Sequence, residues 1–126
     1  MFISHIALWT QDLEIIKDFY VKYFGGTSNQ KYVNPAKGFE SYFISFSQGP
    51  SLEIMRRTDI TKNPQAELLG YCHIAFKLGS KEAVINLTEQ LHKDGYQVLG
   101  QPRTTGDGYF ESIIADPCGN RVELVA

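Results

Sequence analysis

Two imidazoles and two carboxylates recur along this 126-residue chain at matched positions. His5 stands in the run S-H-I-A-L-W and His73 in C-H-I-A-F-K, 68 positions later; Glu53 in L-E-I and Glu123 in V-E-L lie 70 positions apart. A single histidine on an apolar strand is more often a hydrogen-bonded core residue than a ligand, and a glutamate between aliphatics usually faces water. The repeat changes those odds. With three histidines in the chain, a second one at the equivalent position is about a 2% coincidence by composition. Two imidazoles and two carboxylates can bind a divalent cation, and four ligands that do not close a tetrahedron leave two octahedral positions for water or substrate. The candidate set is therefore His5, Glu53, His73 and Glu123. Neither cysteine joins it: alternation sends Cys72 to the face opposite His73, as a small core residue, and Cys118 sits in a turn. His92, near the end of a helix pattern, reads as a surface residue that suits the helix dipole.

These side chains need strands to present them, and the pattern around each copy supplies the same order of elements. Phe2 to Trp9 reads as a strand with Ile3, His5, Ala7 and Trp9 on one face and Ile6 and Leu8 on the other. Thr10 or Asp12 can cap a helix whose apolar stripe is Leu13, Ile16, Tyr20, Tyr23 and Phe24, ending at Gly25-Gly26. That helix is expected to cover the Ile6/Leu8 face and leave the His5 face open. An edge strand over 27–33, a turn at 34–38, a strand over 41–47 and a strand over 51–55 complete the half. In the second half, residues 71–78 form the strand. Ser80 opens a helix striped by Val84, Leu87, Thr88 and Leu91, and Gly95 closes it. Strands over 96–100, 109–115 and 121–125 follow, with a loop at 102–108 and a strong turn at Asp116-Pro117-Cys118-Gly119-Asn120.

The expected fold class is α+β: two βαβββ modules, residues 1–56 and 71–126, joined by a polar connector over 57–70. They pair into an open, eight-stranded, cleft-forming sheet with helices outside and the four ligands inside. Because each module carries half of the set, two modules must face each other, within one chain or across a two-fold dimer.

Composition narrows the class. Hydrophobic content of 43% with 21% charged residues fits a folded globular chain, and a net charge of −2 gives no reason to expect nucleic acid. No apolar run reaches the ~20 residues of a membrane helix, and the start lacks a basic, signal-like stretch. Two cysteines make no disulfide framework. The expectation is a cytoplasmic protein with free thiols, acting on a small molecule without nucleic-acid or membrane partners.

The H-I-A-L start, the L-E-I-M strand, the second H-I-A-F and the D-P-C-G-N-R-V-E-L ending resemble the vicinal oxygen chelate superfamily, whose domain would span the whole chain. Glutamate at both 53 and 123 resembles its glyoxalase I branch most closely. The resemblance implies the glyoxalase/bleomycin resistance fold and one divalent metal ion per site, Ni²⁺ or Co²⁺ with Zn²⁺ the alternative. It further implies a homodimer whose sites are shared between chains. The implied reaction is a lactoylglutathione lyase-like isomerisation of a hemithioacetal or related α-hydroxycarbonyl through an enediolate. Similarity assigns the base to Glu123, with Glu53 as companion ligand; the internal symmetry allows the reverse. One position departs from the branch. Where bacterial glyoxalase I commonly has an arginine that helps hold glutathione, this chain has Trp9, whose repeat counterpart is Lys77. An indole cannot pair with a carboxylate, so a smaller or more apolar substrate than the glutathione adduct is expected. Lys77 and Arg103, beside the Gly106/Gly108 loop, remain as anion contacts for the substrate pocket. The other class is a metal-free protein of the same fold that binds a small molecule of antibiotic type in an aromatic cleft.

Overall fold

The computed structural model describes residues 3–62, 70–106 and 108–126. Phe2, Pro64 with its neighbours in the connector, and Asp107 lie outside the described residues. The chain divides into two compact units, Met1–Asn63 and Pro64–Ala126. Each is α+β, one small sheet with one α-helix.

In the first unit, β1 (His5–Trp9) leads to α1 (Leu13–Phe24), then β2 (Thr27–Ser28), β3 (Tyr32–Asn34), β4 (Phe39–Ser45) and β5 (Ser51–Arg57). The sheet runs β1-β5-β4-β2, with β3 also on β4; β1 and β5 are parallel and the other pairs antiparallel. The helix begins where Asp12 accepts hydrogen bonds from the Glu14 and Ile15 amides through Oδ1, both 3.1 Å. It stops at Gly25, whose φ of 64° is left-handed. Gly26 follows because a Cβ there would lie 2.4 Å from Ile44 Cγ2. Leu13, Ile16, Phe19 and Tyr20 pack on Tyr42, Ile44, Leu52 and Ile54, all buried. The helix thus covers mainly β4 and β5. Ile6, expected beneath it, is 36% exposed because β1 is the sheet's outer strand.

The second unit repeats the plan as β6 (His73–Lys77), α2 (Lys81–Lys93), β7 (Val98–Thr104), β8 (Phe110–Ala115) and β9 (Arg121–Val125), ordered β6-β9-β8-β7 with β6 and β9 parallel. Ser80 Oγ caps α2 by accepting from the Ala83 amide at 3.1 Å. The turn before β9 is tied by one carboxylate: Asp116 Oδ1 accepts from the Cys118 and Asn120 amides, both 2.9 Å, and Oδ2 from Asn120 Nδ2 at 2.8 Å.

Strand boundaries differ from expectation in several places. The strand expected over 27–33 is two pieces, because Asn29 Oδ1 accepts the Phe43 amide at 2.8 Å and takes the place of a ladder bond. β5 continues to Arg57, two residues beyond the expected strand end and into the first residue of the expected connector. β7 continues to Thr104 through Pro102; it is an edge strand with register shifts, where a residue without N–H is tolerated. Cys72 precedes β6 and is exposed, so the alternation that placed it in the core does not reach it.

The second core contains a polar seam. Thr88 Oγ1 donates to the Val84 carbonyl at 2.6 Å and shares a 2.7 Å hydrogen bond with Ser112 Oγ, both residues being buried. Thr88→Val should strand the Ser112 hydroxyl and cost about 1–3 kcal/mol. Adding Ser112→Ala should recover part of that loss. Urea unfolding of the two variants checks the sign of the coupling.

Candidate functional site

In both units the first and last strands pair in parallel with one register. His5 stands opposite Ser51 and Ala7 opposite Glu53; His73 stands opposite Arg121 and Ala75 opposite Glu123. The ladders also extend alike, since the Thr10 amide donates to the Met55 carbonyl at 2.8 Å and the Leu78 amide to the Val125 carbonyl at 2.7 Å. Residues opposite one another share a sheet face, so each imidazole and carboxylate are diagonal neighbours on the face away from the helix. The intervening position is an alanine, whose methyl leaves room for the glutamate to lean toward the ring.

The result is two similar pairs. His5 Nε2 lies 3.8 Å from Glu53 Oε2, with side chains 43% and 17% exposed; His73 Nε2 lies 3.3 Å from Glu123 Oε2, at 40% and 16%. His5 is further held by Ser4 Oγ, 3.0 Å from Nδ1, and by an edge-to-face contact with Phe43 at 5.4 Å. No lysine or arginine pairs with either carboxylate among the described residues. Two ligands about 2.1 Å from one ion and at right angles around it are ~3 Å apart. Both pairs approach that separation, and imidazole with carboxylate suits a borderline divalent cation. No group of three or more His, Cys, Asp or Glu side chains gathers among the described residues, so each unit offers two donors.

The two faces differ around this shared frame. In the first unit, Trp9 meets Phe39 edge-on at 6.2 Å, and Phe39 meets Tyr32 at 6.1 Å. The Arg57 guanidinium lies 5.2 Å from the Trp9 ring centroid, and Asp59 accepts from its Nε and, at 3.1 Å, from its Nη2. Hydrogen bonding between the two raises the Arg57 pKa and holds the Asp59 carboxyl below its ordinary value. Sequence alone does not single out Arg57, because it falls in a polar stretch that reads as connector. Its signal is four-residue spacing from Glu53, which keeps it on the same face once β5 is extended. The indole therefore does not stand without a cation beside it, as the substitution at position 9 alone implied.

In the second unit, Lys77 and Arg121 share the His73 face by register. Arg103 lies on β7 rather than in a loop, with Nη2 3.5 Å from Glu111 Oε1. Glu111, a second acid on that face at 14% exposure, also went unnoticed in an aromatic-rich strand. The loop after β7 is a tight hairpin turn in which the Thr105 amide donates to Tyr109 at 2.8 Å and the Gly108 amide to Thr105 at 3.0 Å. His92 is exposed in the last turn of α2, as expected.

Trp9 is the chain's one tryptophan and is 39% exposed. Arg57→Ala should uncover the indole, moving its emission to longer wavelength and increasing acrylamide quenching. Steady-state fluorescence reads both.

A family model described as the Glyoxalase/Bleomycin resistance protein/Dioxygenase superfamily matches residues 2–124. The uncharacterized protein YqjT of Bacillus subtilis (strain 168) is 31% identical over 130 residues, covering 97% of this chain and 96% of its own. Among solved structures, a glyoxalase family protein from Enterococcus faecalis superposes with a TM-score of 0.81 at 26% identity, over 98% of this chain and 96% of that one. A mutant glyoxalase I from Zea mays superposes at 0.80 with 22% identity over 98% of this chain, which spans 44% of the maize chain.

Proposed function

Because the chain belongs to the glyoxalase/bleomycin resistance protein/dioxygenase superfamily, we propose that it is a metal-dependent, glyoxalase I-like isomerase. The observation that carries the reading is the repetition of one imidazole–carboxylate pair, in one register, with donor atoms 3.8 and 3.3 Å apart. His5, Glu53, His73 and Glu123 would hold one divalent ion, Ni²⁺ or Co²⁺ before Zn²⁺. Since each unit carries two donors, the complete set needs two units, and we place them on two copies of the chain in a homodimer. Such an ion supplies positive charge to oxygens on which negative charge develops.

The remaining work belongs to the protein. The substrate is a hemithioacetal or related α-hydroxycarbonyl, whose isomerisation moves a proton between neighbouring carbons through an enediolate. Glu123 accepts that proton and returns it one carbon away, while Glu53 stays as the companion ligand. Alanines 7 and 75 leave space beside the imidazoles and carboxylates, and Trp9 with Phe39 and Tyr32 supplies apolar surface further along the first unit's strands. That same aromatic face is what favours the second reading, a metal-free small-molecule binding protein of this fold.

Metal analysis of protein purified without chelator or a metal-binding tag separates the two readings, and one ion per site is expected. His5→Ala should abolish stoichiometric binding in calorimetric titration, and Glu53→Gln should weaken it, since a charged ligand is lost. Unchanged affinity in His5→Ala would sink the four-residue set. With metal restored, Glu123→Gln should lower turnover of a hemithioacetal by at least ~10². A monomer in sedimentation at micromolar concentration would remove the shared-site arrangement.

A further inference from the structure

We propose that Trp9 and Arg57 form a recognition platform for a flat, anion-bearing part of the ligand, of the aryl carboxylate class. The inference deepens the proposed function by naming a substrate feature, and it rests on that reading only for where the reacting end of the molecule lies. All of its residues belong to the first unit.

Arginine has five N–H donors in a fixed fork, and Asp59 engages one edge of it through Nε and Nη2. Among the described residues no acceptor meets the other edge, which can take a second planar acceptor, and the Arg57 side chain is 40% exposed. Asp59 orients the group, and by offsetting part of its charge it leaves selection to hydrogen-bond geometry more than to long-range attraction. Beneath the guanidinium, the indole supplies a flat apolar surface, against which Phe39 stands at 89°; Tyr32, itself 53% exposed, meets Phe39 at 59°. A solvated aliphatic chain would use such a surface poorly. A ring carrying a carboxylate uses both halves of it, stacking on the indole or Phe39 while the carboxylate meets the guanidinium.

Position along the strands sets the ligand's length. Trp9 lies two register positions beyond Ala7 and Glu53, and Arg57 lies four residues beyond Glu53. At 3.3 Å per residue these separations are about 7 and 13 Å. The anionic group would therefore sit several bonds from the reacting carbons, as a recognition handle that takes no part in the chemistry.

Trp9 fluorescence reports directly on this platform without turnover, so the test runs on chelator-treated full-length protein and again after metal is restored. The probes are 3-phenylpropionate, its uncharged amide, and hexanoate as an acid without a ring. The acid should bind at least about tenfold more tightly than the amide, the factor expected of a charge-assisted hydrogen bond. It should also outbind hexanoate. Arg57→Gln should bring the acid-to-amide ratio close to one. Trp9→Leu, followed by calorimetry, should reduce the preference for the ring while keeping that for the charge. Equal affinity of acid and amide in the wild type, or an undiminished ratio in Arg57→Gln with native circular dichroism, would overturn the proposal. Hexanoate binding as tightly as 3-phenylpropionate would overturn the aryl part. Acid selectivity in a protein that neither holds metal nor turns over a hemithioacetal would keep the platform and discard the isomerase.

Discussion

Parallel pairing between the first and last strands of each unit is the constraint on which the candidate chemistry depends. A parallel pair cannot be closed by a tight turn; it requires a crossover, and here the helix and the intervening strands provide it. Once β1 lies on β5, and β6 on β9, a slip of one residue would send every side chain to the other face. The buried aliphatics guard against that slip. Leu52, Ile54, Val122 and Leu124 are held under the helices, which leaves Glu53 and Glu123 no option but the open face beside their histidines. The imidazole–carboxylate pairs are in this sense a by-product of core packing, and the hydrophobic positions between the polar ones do the aiming.

Much of this is legible in the sequence. The helices announced themselves through apolar periodicity and through Asp12, Ser80 and Gly25 at their ends. The histidines and glutamates stood out because a repeat multiplies a weak signal. What escaped was tied to interactions that leave no periodic trace. Asn29 interrupts an edge strand with a side-chain bond, which looks in sequence like any polar strand residue. Pro102 reads as a breaker, yet it is harmless on an edge. Arg57 looked like linker because polarity in a chain marks exposure and says little about which neighbour the exposed group leans on. Its contact with Trp9 joins residues 48 positions apart and has no counterpart in the second half.

The two units show how a duplicated frame diverges. The imidazole–carboxylate pair and its register are retained in both. Around it, one face became aromatic, with a single oriented guanidinium, while the other became charged, with Lys77, Arg103, Glu111 and Arg121. Nothing in the backbone demands the difference. It lies in positions free to vary because they point away from the core, and those are the positions where a common fold acquires a particular ligand.

The cores diverged as well. Among the described residues, the first unit buries Ile16, Phe19, Tyr20, Ile44 and Ile54 almost completely. The second relies on smaller groups, Val84, Leu91, Ile114, Val122 and Leu124, with hydroxyls between helix and sheet. Aromatic side chains bury more surface than aliphatic ones, so the second unit has the smaller reserve against local opening. Native proteins open in parts, each with its own free energy. Any activity that draws donors from both units then lasts only as long as the weaker one stays closed, and the operating lifetime of the whole is written in the core of its second half.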